Sequence, residues 1–208
     1  MVDSLLGQAI SVKRPDEHRP AHLPLLGEWI ARERPCAIGE CGLDFFVKGL
    51  DQAQQQRYFL GQLQLAREFD LPLIVHARRA VDAVILAIRK VGRLRGVVHS
   101  FAGSPEQARQ LQSLDFLIGL GGPVTYERAQ RLRRLAAELP LQQLLLETDA
   151  PDQPDASIRG QRNEPARLRT VLDTIAMLRG QPAAEIAAQT TRNAQQLFGL
   201  QTLAARPA

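Results

Sequence analysis

The feature that most constrains this chain is a repeated pairing of a short apolar run with a longer segment of helical periodicity. Four of the runs close on a histidine or a carboxylate. Cys36-Ala37-Ile38-Gly39 leads into Glu40, Leu73-Ile74-Val75 into His76, Gly96-Val97-Val98 into His99, and Leu144-Leu145-Leu146 into Glu147-Thr148-Asp149. A fifth run, Phe116-Leu117-Ile118-Gly119, lacks such an ending. Residues 52–69, 81–91, 105–114 and 127–139 place apolar side chains at helical spacing, with glutamines and arginines opposite. Ser104-Pro105-Glu106 adds a capping residue before a proline at the first helical position. Residues 164–178, 182–189 and 190–198 complete the pattern as three further helical stretches.

Strand runs alternating with helices predict βαβ units and a parallel sheet. The runs are continuously apolar rather than alternating, which suits strands covered on both faces. In such folds the carboxyl ends of the strands converge on one edge, where active sites are built. Glu40, His76, His99 and Asp149 are far apart in sequence and form no local motif, so they gain meaning only if the fold gathers those ends. Imidazole and carboxylate together suit Zn²⁺, Mn²⁺ or a similar divalent ion rather than an all-oxygen calcium site.

Composition narrows the remaining options. At 208 residues and 45% hydrophobic, the chain can bury the core of one domain. No apolar run approaches the roughly 18 residues of a membrane span, and the start lacks a signal-peptide layout. Two cysteines make no disulfide scaffold, which points to a reducing, cytoplasmic setting. Of 26 basic residues only Lys13, Lys48 and Lys90 are lysines. An arginine-rich chain of net charge +4 suits a phosphate-bearing partner. It equally suits arginines on solvated helix faces, as in Arg128-Ala129-Gln130-Arg131. Residues 149–163, with Pro151, Pro154 and Gly160, form the one long irregular stretch and read as a functional loop.

Other residue types read as structural. His18 and His22 stand four apart around Pro20, on what looks like an amphipathic outer helix, and are taken as surface residues. Cys36 and Cys41 lack the second pair a structural zinc site requires and are expected to be buried small hydrophobes. Asn163, before Glu164-Pro165, is a candidate helix cap.

Taken together, Gly39-Glu40-Cys41-Gly42-Leu43-Asp44, Val75-His76-Ala77-Arg78, Val98-His99-Ser100-Phe101, Leu146-Glu147-Thr148-Asp149-Ala150-Pro151 and Arg162-Asn163-Glu164-Pro165 resemble, in order, the signatures of TatD-type metal-dependent deoxyribonucleases, within the amidohydrolase-like barrels. The resemblance runs from about residue 33 to Leu200. It implies a TIM-type (β/α)8 barrel and a centre of one or two divalent ions (zinc, manganese or magnesium) that cleaves phosphodiester bonds in DNA by activated water. By the same resemblance Glu40, His76, His99 and Asp149 bind metal, with Asp149 and Glu40 catalytic and Asp149 acting as base. Arg78, Arg162 and Asn163 then face phosphate, and Asp44 and Glu147 orient the ligands from behind. A metal-dependent ester or amide hydrolase is the alternative chemistry, and a binding-only remnant the alternative class.

Relatives of this type open with a strand ending in H-x-H; this chain has no H-x-H, and Gly7-Gln8-Ala9-Ile10-Ser11-Val12 stands in that place. A barrel typically takes about 250 residues. The expectation is therefore a barrel incomplete at its N-terminus, with five to six βα units, a single domain over residues 1–200 and a tail at 201–208. A misassigned start, a truncated remnant, and an open barrel that folds as written all remain open. Exposed sheet edges would favour a homo-oligomer.

Overall fold

The computed structural model describes residues 22–200. Helix α1 (His22–Glu33) precedes five strands: β1 (Ile38–Asp44), β2 (Leu73–Arg78), β3 (Gly96–Val98), β4 (Phe116–Leu120) and β5 (Leu144–Leu146). Between them lie α2 (Gln52–Glu68), α3 (Val81–Val91), α4 (Pro105–Gln112) and α5 (Gln130–Glu138), and α6 (Leu168–Arg179) and α7 (Ala183–Phe198) follow. The five strands pair in parallel and in sequence order. Consecutive order with a helix in every connection is the winding of a (β/α) barrel, here an arc of it, rather than of a doubly wound sheet.

Every apolar run of the sequence falls on a strand, the first of them only from Ile38 onward. The side-chain period of two then sorts each strand between two faces. Cys41, Val75, Val98, Ile118 and Leu144 lie on the helix-covered side, packed with Phe59, Leu63, Val84, Ile88, Leu111 and Ile175. The opposite face carries Ile74, Val97, Leu117 and Leu145, packed with Ala194, Leu197 and Phe198 of α7. His76, His99 and Glu147 stand two residues beyond Ile74, Val97 and Leu145, so the polar groups sit over an apolar floor.

Helix starts follow side-chain chemistry. Asp51 accepts from the Ala53 and Gln54 amides at the head of α2. Ser104 and Gln107 form the reciprocal capping box of α4. One expectation fails in the last helix: 182–189 and 190–198 read as separate segments, yet α7 is continuous. The Thr190 hydroxyl donates to the Ile186 carbonyl inside the helix. Asn193 donates to the Leu141 and Leu144 carbonyls, so the helix runs through the expected division and is tied to the strand it covers. His22 opens α1; His18 and the tail at 201–208 lie outside the described residues. Cys41 is buried as expected, but Cys36 is exposed, because it precedes the strand rather than forming part of it.

Candidate metal centre

Three donor atoms meet where β1, β2 and β3 lie side by side. Glu40 Oε1 is 3.0 Å from His76 Nδ1 and 2.9 Å from His99 Nε2, and the two ring nitrogens are 3.2 Å apart. Atoms bound tetrahedrally to a zinc-sized ion at about 2.0–2.1 Å stand roughly 3.4 Å from one another. Hydrogen bonds hold the three groups slightly inside that span, so a small outward relaxation would admit an ion. A carboxylate with two imidazoles is a donor set that suits a divalent ion of borderline softness.

The local backbone explains the convergence. Glu40 is not at the end of its strand, as the apolar run suggests, but within β1 at a shift of register between Ile38 and Cys41. Such an irregularity re-aims a side chain, and here it turns Glu40 toward its neighbours. Gly42, at φ +142°, pairs with His76; a Cβ there would lie 2.0 Å from the His76 carbonyl oxygen. Only glycine lets β1 approach the histidine so closely. At β4, a Cβ on Gly119 would lie 2.9 Å from Glu147 Oε2 and 3.0 Å from the His99 Cα. The fifth strand run thus contributes space instead of a ligand.

Each histidine is backed by a carboxylate on its far side. His76 Nε2 is 3.4 Å from Asp44 Oδ2, and His99 Nδ1 is 4.0 Å from Glu147 Oε2. Carboxylates stand behind ligating histidines in this way in metal sites, although neither contact is a hydrogen bond in this structure and His76 Nε2 is buried without a hydrogen-bond partner among the described residues. Asp44 is fixed in turn by Gln55, whose Oε1 accepts from the Asp44 amide while its Nε2 donates to the Asp44 carbonyl. Glu147 accepts from the backbone amide and hydroxyl of Ser100.

Electrostatics couple these groups. Burial opposes ionisation of Glu40, but its hydrogen bonds to both histidines outweigh it and hold the carboxyl well below the usual range. Burial likewise works against protonation of His99. The bond to Glu40 and the nearby Glu147 and Asp149 charges override it and lift His99 to about 9. Burial pushes the Glu147 carboxyl up despite the opposing influence of His99 and Ser100.

Asp149 lines the same cleft but is outside the three-atom cluster. Its Oδ2 accepts from Gln153 Nε2 and lies 3.5 Å from Ser100 Oγ, whose proton points to Glu147, and Gln153 also donates to Ser100 Oγ at 2.7 Å. Asp149 and Ser100 both have left-handed backbones, at φ +56° and +47°. Strain of this kind gathers at functional sites. Ser100 and Gln153 escape sequence reasoning because single polar residues in loops carry no spacing signal.

The cleft has a volume of about 1070 Å³, and Arg78 lines it near Asp44. Arg162 is exposed and does not line it. Asn163 is buried: its Nδ2 donates to the Thr148, Asp152 and Gln153 carbonyls, while its Oδ1 accepts from the Glu164 amide. That amide fastens the long loop beneath Asp149 and has no donor left for a phosphate, which corrects its expected phosphate role. The capping expectation is corrected as well: the N-cap of the turn at Pro165–Arg167 is Glu164, without a side-chain cap bond, and Asn163 stands one residue before it. Among the described residues no helix is long and apolar enough to cross a membrane.

A family model described as TatD related DNase matches residues 10–199. The chain is 40% identical over 189 residues to "Uncharacterized metal-dependent hydrolase YjjV" of Escherichia coli K12, covering 89% of this chain and 73% of that protein. It is 40% identical over 171 residues to "3'-5' ssDNA/RNA exonuclease TatD" of Erwinia tasmaniensis, covering 79% and 66%. The crystal structure of YjjV superposes with a TM-score of 0.85 at 39% identity, over 89% of this chain and 73% of that one. A TatD-family hydrolase from Entamoeba histolytica shares the fold, with a TM-score of 0.76 at 19% identity over 89% and 71%.

Proposed function

Given that this chain belongs to the TatD-related DNase family and is a metal-dependent hydrolase, we propose that it cleaves phosphodiester bonds in DNA strands. The observation that carries this reading is the convergence of Glu40, His76 and His99 in a cleft that also holds Asp149 and Arg78. Glu40, His76 and His99 are the residues that would hold a divalent ion, and Asp149 the residue that would complete that site or border a second ion. A divalent ion there supplies Lewis-acid activation of water and neutralises charge on the phosphoryl group.

The chain's own groups account for the rest. In this reading Asp149, which accepts from Gln153 at the edge of the cleft, takes the proton from the attacking water. Asp44 and Glu147 keep the two imidazoles oriented. Arg78 presents a guanidinium to the phosphoryl oxygens. Residues 1–200 act in this reading as a single barrel domain.

The test is a gel assay on end-labelled single-stranded DNA with chelator-treated protein, reloaded with Zn²⁺, Mn²⁺ or Mg²⁺. Metal-dependent stepwise shortening supports the reading. Cleavage of a carboxyl ester such as p-nitrophenyl acetate, without cleavage of DNA, would replace it with an esterase, and inactivity toward both would leave a binding role.

A further inference from the structure

Beside the metal centre the cleft wall carries Phe46 and Arg79, which none of the roles above uses. Asp44 closes β1, and its Oδ1 accepts from the Phe46 amide at 2.9 Å and the Val47 amide at 3.2 Å. This turn presents the Phe46 ring at the cleft with 45% of the residue exposed. Two guanidinium groups from the end of β2 lie against that one ring. The central carbon of Arg78 is 3.8 Å from the ring centroid and that of Arg79 is 4.8 Å from it.

The charge balance of this group is unusual. Arg78 has Asp44 at 4.0 Å. Arg79 has no carboxylate partner among the described residues. Two cations on one aromatic ring repel each other, and Arg79 also adopts a left-handed backbone, at φ +54°, which non-glycine residues rarely take. Stacking on the ring covers one face of a guanidinium and leaves its N–H edge free for an oxyanion. An anion at that edge would balance the two charges. A cleft of about 1070 Å³ lies at or above the range of single small-molecule pockets, about 300–1,000 Å³, which leaves room beyond the reacting group.

We infer that Phe46 and Arg79 form a subsite for a second phosphate of the bound strand, one next to the phosphate that is cleaved. Phe46 is the positioning residue and Arg79 the contact. This rests on the phosphodiester reading of the neighbouring metal centre. It would give the protein a preference for polynucleotide over isolated phosphodiesters, since binding at a remote phosphate helps place the reacting one.

The test is made at equilibrium, without turnover. Binding of a fluorescein-labelled oligothymidylate is followed by anisotropy in EDTA at several salt concentrations. Arg79→Ala should weaken binding about tenfold, as expected for one charge-assisted contact. It should also lower the salt slope by about 0.7, the share of one phosphate on a single strand. Arg79→Lys should restore the slope and only part of the affinity, because lysine keeps the charge without the fork. Phe46→Ala should weaken binding, and combining it with Arg79→Ala should add little. Additive losses would make Phe46 an independent base-stacking residue and overturn its positioning role. An unchanged slope in Arg79→Ala would overturn the subsite. If wild-type protein fails to cut DNA while Arg79→Ala shows both losses, the subsite stands and the nuclease reading falls.

Discussion

His99 Nε2 and Glu40 Oε1 stand 2.9 Å apart although His99 follows the end of β3 and Glu40 lies in β1, strands separated in the sheet by β2. The contact exists because the register shift in β1 turns Glu40 inward over His76, while Gly119 opens the far side of His99 to Glu147. Metal binding, proton balance and the stability of this part of the barrel arc are therefore properties of one cluster.

The first consequence concerns metal content. His99→Ala and Glu40→Gln each remove one of three converging donors and should leave the purified protein with little bound metal by elemental analysis, and activity down at least about a hundredfold. Asp44→Asn keeps all three donors but weakens the support of His76. A loss of about ten- to a hundredfold in metal affinity is expected.

A second consequence is that metal binding displaces a proton. With His99 at about 9 in the metal-free site, the imidazole is protonated at neutral pH and must lose that proton on binding. Calorimetric titrations in buffers of different ionisation enthalpy should show proton release near pH 7. The sign for stability follows from the raised value. The stabilising effect of the protonated pair is complete below about 6.5 and is lost as pH rises through about 9. The metal-free protein should melt earlier across that window, whereas His99→Ala should show no such decline.

The long loop gives a third prediction. Asp155, 1% exposed, pairs through both oxygens with Arg167 at the foot of α6 and is held down at about 2 by that bond, with burial opposing it. A depressed carboxyl stabilises the fold above its ordinary value of 3.8 and loses that effect as pH falls through about 2. Unfolding curves of wild type and Asp155→Asn should differ most at pH 5 and above and draw together toward pH 2.

Asn163 supplies a fourth. Asn163→Ala leaves the Thr148 and Asp152 carbonyls without their side-chain donor, so a loss of about 1–3 kcal/mol is expected in urea unfolding. Because the same loop carries Asp149 and Gln153, kcat should fall while KM stays near the wild-type value. A rise in KM alone would instead mark Asn163 as a substrate contact.

Gly42 gives the last. A methyl group there meets the His76 carbonyl oxygen at 2.0 Å and the His76 carbonyl carbon and amide nitrogen at 2.8 Å, all backbone atoms. Gly42→Ala should destabilise the protein by about 3 kcal/mol or more. Gly119→Ala meets a movable carboxylate as well as the His99 Cα. It should affect metal affinity more than folding.

The strands and most helices were legible because buried parallel strands leave continuous apolar runs and capped helices leave Ser-Pro or Asp signatures. His76 and His99 were legible for the same reason, since the two strand runs lead directly into them. The place of Glu40 inside its strand was not legible, because a register shift within β1 has no mark in the sequence beyond its glycines. The continuity of α7 was hidden because Asn193 reaches the Leu141 and Leu144 carbonyls, which only the fold brings close, while Thr190 is satisfied by the Ile186 carbonyl once the helix itself has formed. Gln153, Gln55 and Ser100 belong to the same class, as polar residues whose partners lie 11 to 53 positions away or in an irregular loop. Phe46 was equally unreadable, since an aromatic residue after a strand usually signals core.

The most direct test of the account is anomalous diffraction from crystals soaked in Mn²⁺ or Zn²⁺. The account predicts a peak bounded by Glu40 Oε1, His76 Nδ1 and His99 Nε2 that is absent from His99→Ala crystals. A peak elsewhere in the cleft with those three groups still hydrogen-bonded to one another, or no peak at all, would contradict it.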